Sequence, residues 1–199
     1  QRQFLVKQGR HSVVCQLDLK GERFFLDIVS TRRTNLDIVM ALQQQFGIEP
    51  SYPMAITRQE SRFNPNALAF DGGVGLMQIM PATAQYIARK LGESYSPTRV
   101  ATGDTNIRYG TYYMGDILNK LGGQPVLATA GYNAGPNKAK TWQPDNGSLA
   151  ADQYVESIPY PETRDYVKAV MENATNYGVL LNSSHPSISE RMGVIPSKY

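Results

Sequence analysis

From about residue 48 to 180 the apolar positions recur with the 3.6-residue period of a helix, whereas the first thirty residues carry two short β-prone stretches instead. Those stretches, SVVCQLDL and FFLDI between Ser12 and Ile28, flank a Gly-containing KGER turn and predict a β-hairpin. Thr34 then reads as the N-cap of a helix with Leu36, Val39, Met40 and Leu42 on one side, ending at Phe46 and Gly47. Ser51 is expected to cap the next helix, which carries Pro53 in its first turn and stops at Asn64-Pro65. After a polar, Gly-rich loop, Pro81 opens a helix with Ala84, Ile87, Ala88 and Leu91 at core spacing and Gly92 as its end. The strongest periodic stripe is Ile107, Gly110, Met114, Ile117, Leu118 and Leu121, closed by Gly122-Gly123. Pro125 begins a shorter helix through Ala130, which the run from Tyr132 to Pro136 is expected to break. Residues 137 to 159 read as mostly loop with a short helical piece near Trp142. Pro161 starts a helix presenting Tyr166, Val167, Val170, Met171, Ala174 and Tyr177, and the Ser-, Pro- and Gly-rich tail from Asn182 is expected to wrap the surface or fray. The pattern divides the chain into an accessory segment over 1–47, a helical domain over 48–181 and a tail over 182–199.

Composition narrows the chemistry. With 199 residues, 41% of them hydrophobic, the chain is long enough for one sizeable core. No apolar run approaches the roughly 20 residues of a membrane span, and no signal-peptide segment is visible; starting at Gln1, the chain reads as a mature or trimmed form. One cysteine, Cys15, rules out an intrachain disulfide, and two histidines near the ends, His11 and His185, speak against a His-based triad or a His-ligated metal. Neither a metal nor a cofactor is expected. A formal charge of +3 with dispersed basic residues matches no nucleic-acid-binding pattern. Catalysis, if the chain has any, must rest on carboxylates, hydroxyls or lysines.

One carboxylate stands out. On the helix from Ser51, Tyr52, Ala55, Ile56 and Phe63 define an apolar stripe, and at 100° per residue Glu60 projects near its edge, in the last turn before Asn64-Pro65. Partial burial and the negative end of the helix both disfavour the ionised form, so the carboxyl is expected to hold its proton to higher pH than usual. Such a neutral acid can protonate a glycosidic oxygen. The plainer alternative is a rim glutamate paired with Arg58 or Arg62.

Four blocks in order, AITRQESRFNP around Glu60, GVGLMQIMPATA, ATAGYNAGP and YVESIPYPETRDYV, resemble the soluble lytic transglycosylase family of bacterial cell walls, in its large periplasmic soluble branch. The resemblance covers roughly residues 50 to 180. It implies a mainly α, lysozyme-like catalytic domain related to the goose-type lysozymes, acting on peptidoglycan glycan strands in the periplasm or cell envelope, with other envelope proteins as further partners. It implies Glu60 as the single catalytic acid/base with Ser61 supporting it. Gln78 and Met80 would contact glycan near the scissile bond, Tyr132 with Asn133 would lie close to Glu60, Glu162 would belong to the cleft, and Tyr166 would stand near the catalytic centre. Two departures are visible. Gly131 stands where the family block has alanine, a change expected to be tolerated, and a cleft serine of some relatives is replaced by Ala69 or has no equivalent, its role falling to Asp71 if to any residue.

Ordinary glycosidases flank the bond with two carboxylates about 5 to 9.5 Å apart. Here no second carboxylate is convincing. Asp71 sits in FDGGVG, where Asp-Gly suits a simple turn, and Glu162 follows Pro161 in a first helical turn, where it caps, pairs with Arg164 or lines a cleft. Muramic sugars offer a way round: the N-acetyl carbonyl stabilises the cation at C1 and the C6 hydroxyl attacks it, so that one carboxyl acting as acid then base yields a 1,6-anhydro product. The competing expectations are a goose-type muramidase using Asp71 to position water, and a glycan-binding module without catalysis. Tyr132 either donates a hydrogen bond to the carboxylate or the N-acetyl group or is a core tyrosine, and the Tyr112-Tyr113 pair is either a sugar-stacking wall or partly core.

Overall fold

The computed structural model describes residues 16–19, 22–25, 47–181 and 186–199. Strands β1 (Gln16–Leu19) and β2 (Glu22–Phe25) pair antiparallel with Gln16 opposite Phe25, the hairpin expected from the sequence. The helix expected over Thr34 to Phe46 lies outside the described residues, as do Cys15, His11 and His185.

The remainder is mainly α. Helices α1 (Ser51–Ser61), α2 (Pro81–Lys90), α3 (Pro97–Val100), α4 (Gly103–Lys120), α5 (Pro125–Ala134), α6 (Pro136–Thr141), α7 (Ala151–Ser157), α8 (Pro161–Leu180) and α9 (Ile188–Met192) follow in order. Five of them, α2, α3, α5, α6 and α8, open on a proline in the first turn, where its missing N–H has no partner to lose. The long helices bury the faces their periodicity marks: Ile107, Gly110, Met114 and Ile117 on α4, and Tyr166, Val167, Val170, Met171, Ala174 and Tyr177 on α8. Helix α1 lies against α8 and touches α4, while α5 packs on α4 and α8. Held on several sides, α1 buries every residue from Ser51 to Thr57 rather than a single stripe.

Four expectations change. Ser51 does not cap α1: Pro50 occupies that position, and the Ser51 hydroxyl accepts a bond from Arg191 at 3.4 Å. Helix α5 runs past Ala130 to Ala134, so Tyr132 and Asn133 are helical and the break waits for Gly135, whose φ of 98° suits glycine. Between 137 and 159 the chain forms α6, α7 and β3 (Ser148–Ala150) instead of mostly loop. The C-terminal residues neither fray nor simply wrap the outside, because β4 (Val194–Pro196) pairs with β3 and sets Ile195 in the core. Arg191 is buried there, donating to both Glu49 carboxylate oxygens at 2.6 and 3.1 Å, and so ties the C-terminal residues to the start of α1.

A close approach in the core joins α4 to the loop behind the site. A Cβ at Gly110 would lie 2.4 Å from Met77 Sδ and 2.8 Å from Met77 Cβ. Gly110→Ala should therefore lower stability, since overpacking costs about 1–3 kcal/mol whereas the gain in helix propensity is at most about 1 kcal/mol. Thermal melts of the two chains check this; a melting point equal to or above the parent's would refute it.

Candidate active site

Residues 62 to 65 decide where Glu60 stands. Arg62 and Phe63 both take left-handed backbone, φ 51° and 64°, and Pro65 bars Asn64 from continuing a helix, so α1 stops one residue beyond Glu60. The Glu60 carboxyl is half-buried in that last turn. Its partner is neither Arg58 nor Arg62 but Tyr166 of α8, whose hydroxyl donates to Oε1 at 2.6 Å. Burial pushes the carboxyl up from 4.5 to about 7, the Tyr166 bond pulls it down by favouring the charged form, and the nearby Asp71 charge adds to the rise. At neutral pH a large share of the carboxyl is protonated. With Oε1 receiving the tyrosine hydrogen, Oε2 is left to carry the acid proton.

The loop after α1 forms the adjoining wall. Ala69 and Gly73 close a turn at the tip, with Ala69 N–H donating to Gly73 O at 2.9 Å and Gly72 N–H to Ala69 O at 3.0 Å. Bridges join Leu68 to Val74 and Val74 to Ile79 below it. Gly75, at φ 75°, lies where a Cβ would fall 2.5 Å from Asn106 Nδ2. That asparagine, fully buried on α4, accepts from Met77 N–H at 2.7 Å and donates to Val74 O and Val100 O at 2.8 and 2.9 Å. Sequence reasoning passed over Asn106; its one signal is an uncapped polar residue immediately before the strongest apolar stripe, with a glycine-rich segment elsewhere needing a partner.

The other expected site residues divide by what their polar atoms do. Ser61 Oγ sits 2.7 Å from Leu76 O and 3.1 Å from Thr57 O, so its hydroxyl holds the loop against α1 rather than reaching into a cleft. Tyr132 donates to Met77 O at 2.9 Å and not to the carboxylate; burial first, then the Glu60 charge, keep that hydroxyl protonated. Gln78, at φ 47°, turns its amide back to Ala67 O and Gly75 O at 3.0 and 2.7 Å. Gln78, Met80, Tyr132 and Asn133, with Thr83 and Tyr113, line a pocket of about 230 Å³. Tyr113 packs on Tyr132 with ring centroids 5.4 Å apart, whereas Tyr112 does not line it. Asn133 Oδ1 accepts from Thr163 Oγ1 at 2.7 Å, joining α5 to the start of α8, where Glu162 is exposed. Arg164 donates to Ile158 O. Asp71 is exposed, and its Oδ1 accepts from Gly73 N–H at 3.3 Å, an ordinary turn. Glycine at 131 is explained by close packing: a Cβ would meet Ile117 Cγ2 and Pro136 Cα at 3.1 Å. Among the described residues no cluster of His, Cys, Asp and Glu could hold a metal ion.

Known proteins share this fold. The family profile described as the transglycosylase SLT domain matches residues 37–155, and that described as the soluble lytic transglycosylase helical domain matches residues 157–186. The soluble lytic murein transglycosylase of Escherichia coli K12 is 42% identical over 127 residues, 62% of this chain and 20% of that protein; the one from Salmonella typhimurium is 38% identical over 146 residues, 72% and 23%. The structure of an inactive Glu→Gln variant of the lytic transglycosylase Slt from Pseudomonas aeruginosa superposes with a TM-score of 0.74 at 36% identity, covering 80% of this chain and 26% of that one. The 70 kDa soluble lytic transglycosylase of Escherichia coli gives 0.68 at 32% identity, covering 78% and 25%. The chain thus spans about a quarter or less of the length of these relatives, and its lysozyme-like, mainly α fold is theirs. With a profile matched over more than half its length, and with the ES, GLMQIMP, YNAGP and ETR blocks gathered around a half-buried glutamate, the chain belongs to the soluble lytic transglycosylase family.

Proposed function

We propose that the chain is a peptidoglycan lytic transglycosylase, cleaving the β-1,4 bond between N-acetylmuramic acid and N-acetylglucosamine and leaving a 1,6-anhydromuramoyl end. The observation that carries this reading is the Glu60 carboxyl, held near pH 7 by burial and aimed by Tyr166. Glu60 gives its proton from Oε2 to the glycosidic oxygen as the bond to C1 breaks. The substrate's N-acetyl carbonyl stabilises the cation, O6 attacks C1, and the Glu60 carboxylate takes the O6 proton, returning to its starting state. Tyr166 serves both halves, orienting the acid and then stabilising the carboxylate. Tyr132, Ser61 and Asn133 fix the surrounding elements, and Gln78 and Met80 face the glycan. No step calls for a metal ion or cofactor. The substrate places the chain in the periplasm or cell envelope, among other envelope proteins; no helix of the described residues is long and apolar enough to cross a membrane.

The goose-type muramidase reading has one observation in its favour, that the Asp71 charge reaches Glu60. Digestion of purified sacculi followed by mass spectrometry separates the two. Anhydromuramoyl products are expected; products heavier by one water would replace transglycosylation with hydrolysis.

Tyr166→Phe removes the bond that favours the charged carboxyl, so the Glu60 proton should be lost at higher pH than in the parent. The alkaline limb of the pH–rate profile should move up, and turnover at neutral pH should fall about tenfold as the acid loses its orientation. An alkaline limb that stays in place or moves down would contradict this.

A further inference from the structure

The large apolar side chains exposed on the described surface are few, and two of them stand on one small loop. Leu68, just before the turn closed by Ala69 and Gly73, is 78% exposed, and Phe70 within that turn is exposed over its whole side chain. A single exposed leucine needs no explanation. A phenylalanine held fully in water does, because the loop beneath it is tied too firmly for the ring to be there by slack. Its base carries the Val74–Ile79 bridge, the Gly75 N–H bond to Ala67 O at 2.9 Å and the two Gln78 amide bonds.

The loop's place says what covers the ring. A Cβ at Gly72 would lie 3.9 Å from Pro81 Cδ, and one at Gly73 would lie 3.0 Å from Gln78 Oε1, so the tip stands against Pro81 and against Gln78, which lines the pocket. Asp71, next to Phe70, is close enough for its charge to act on Glu60. The tip therefore stands beside both the pocket's Gln78 edge and the acid. Sugar rings carry apolar C–H faces that suit an aromatic surface, and Phe70 is the more exposed of the two large apolar side chains that the loop holds in water. We propose that Phe70, with the exposed Leu68 on the same loop, is a specificity-determining stacking surface for a sugar of the bound glycan strand. The inference rests on the peptidoglycan reading of the site and names a contact for it that Glu60, Tyr166 and the Gln78–Met80 segment do not make.

The test uses binding without turnover. Glycan strands freed of peptide are titrated against the Glu60→Gln chain carrying Phe70, Phe70→Ala or Phe70→Trp, and steady-state kinetics are measured for the same substitutions with Glu60 intact. Phe70→Ala should weaken binding about five- to twentyfold and act mainly on KM rather than kcat, with Phe70→Trp near the parent. Because the ring is wholly exposed, melting points should be unchanged. Equal affinities for Phe70 and Phe70→Ala would overturn the stacking role alone. So would retention on phospholipid vesicles that depends on Phe70 while glycan affinity does not, since the ring would then belong to a lipid contact. Absence of glycan binding by the Glu60→Gln chain with Phe70 in place would remove the reading of the whole site, and the proposal with it.

Discussion

Replacing Glu60 by glutamine is expected to lower turnover about 10³- to 10⁴-fold and, above pH 7, to raise the melting temperature. The two effects have one cause. In the folded chain the carboxyl holds its proton up to about pH 7, against 4.5 as the ordinary value. A group that binds its proton more tightly when folded adds stability that is complete below the lower of these pH values and is lost as the pH rises through the higher. Glutamine resembles the protonated acid permanently and can still accept the Tyr166 hydrogen, so it avoids that loss. Discounting for the part of the carboxyl that water reaches, roughly 1–2 kcal/mol is at stake at pH 8, or about 3–6 °C in a domain of this size. At pH 4.5 the parent and variant should melt together. Melts at the two pH values with glycan-digestion assays check both halves. A variant that keeps activity would end the assignment of Glu60, and one that melts lower at pH 8 would end the account of why its proton is held.

The second large effect is expected far from any reacting atom. Asn106→Ala removes three bonds at once and leaves Met77 N–H and Val100 O without the partner each has in the parent, while Val74 O keeps the Ile79 N–H at 3.0 Å. Buried backbone groups stripped of partners cost about 1–3 kcal/mol each, partly recovered where water enters the space, so a loss of about 3–5 kcal/mol and a fall of roughly 10 °C or more in melting temperature follow. Activity should drop further than stability alone explains. At temperatures where the variant is fully folded, turnover is still expected to fall about tenfold, because Met77 O anchors Tyr132 and the next residue, Gln78, lines the pocket. A variant melting within 2 °C of the parent would show that Asn106 does not hold this loop.

The sequence made the helical core legible because the stripes on α4 and α8 are long enough to show their period, and proline marks the starts of α2, α5 and α8. The expected rise in the affinity of Glu60 for its proton is present, with burial as its main cause. What stayed hidden depended on contacts across many residues. That the carboxylate meets Tyr166 rather than Tyr132 is set by how α1 and α8 lie together, the two partners standing 106 positions apart in the sequence. The same holds for Asn106, whose polar side chain reads as a surface position until the loop at 74–77 is folded against it. Residues 137–159 looked like loop because their helices are too short to repeat an apolar stripe; α6 is held by packing on α5, and β3 by pairing with the C-terminal strand. The end of α5 was placed too early because Tyr-Asn-Ala-Gly-Pro carries turn-forming residues, yet the break acts only at Gly135.

The loop between α1 and α2 is gripped at its foot and left open at its crown. Leu76 and Met77 are bound by side chains from three helices, Ser61, Asn106 and Tyr132, while residues 68 to 71 bond chiefly within their own turn. Such a division lets lineages rewrite the crown without disturbing the fold beneath, with Asp71 alone bearing on the acid through its charge. Diversification of cell-wall preference within this scaffold would then be sought at these four positions first, and swapping them between homologues is the economical way to transplant it.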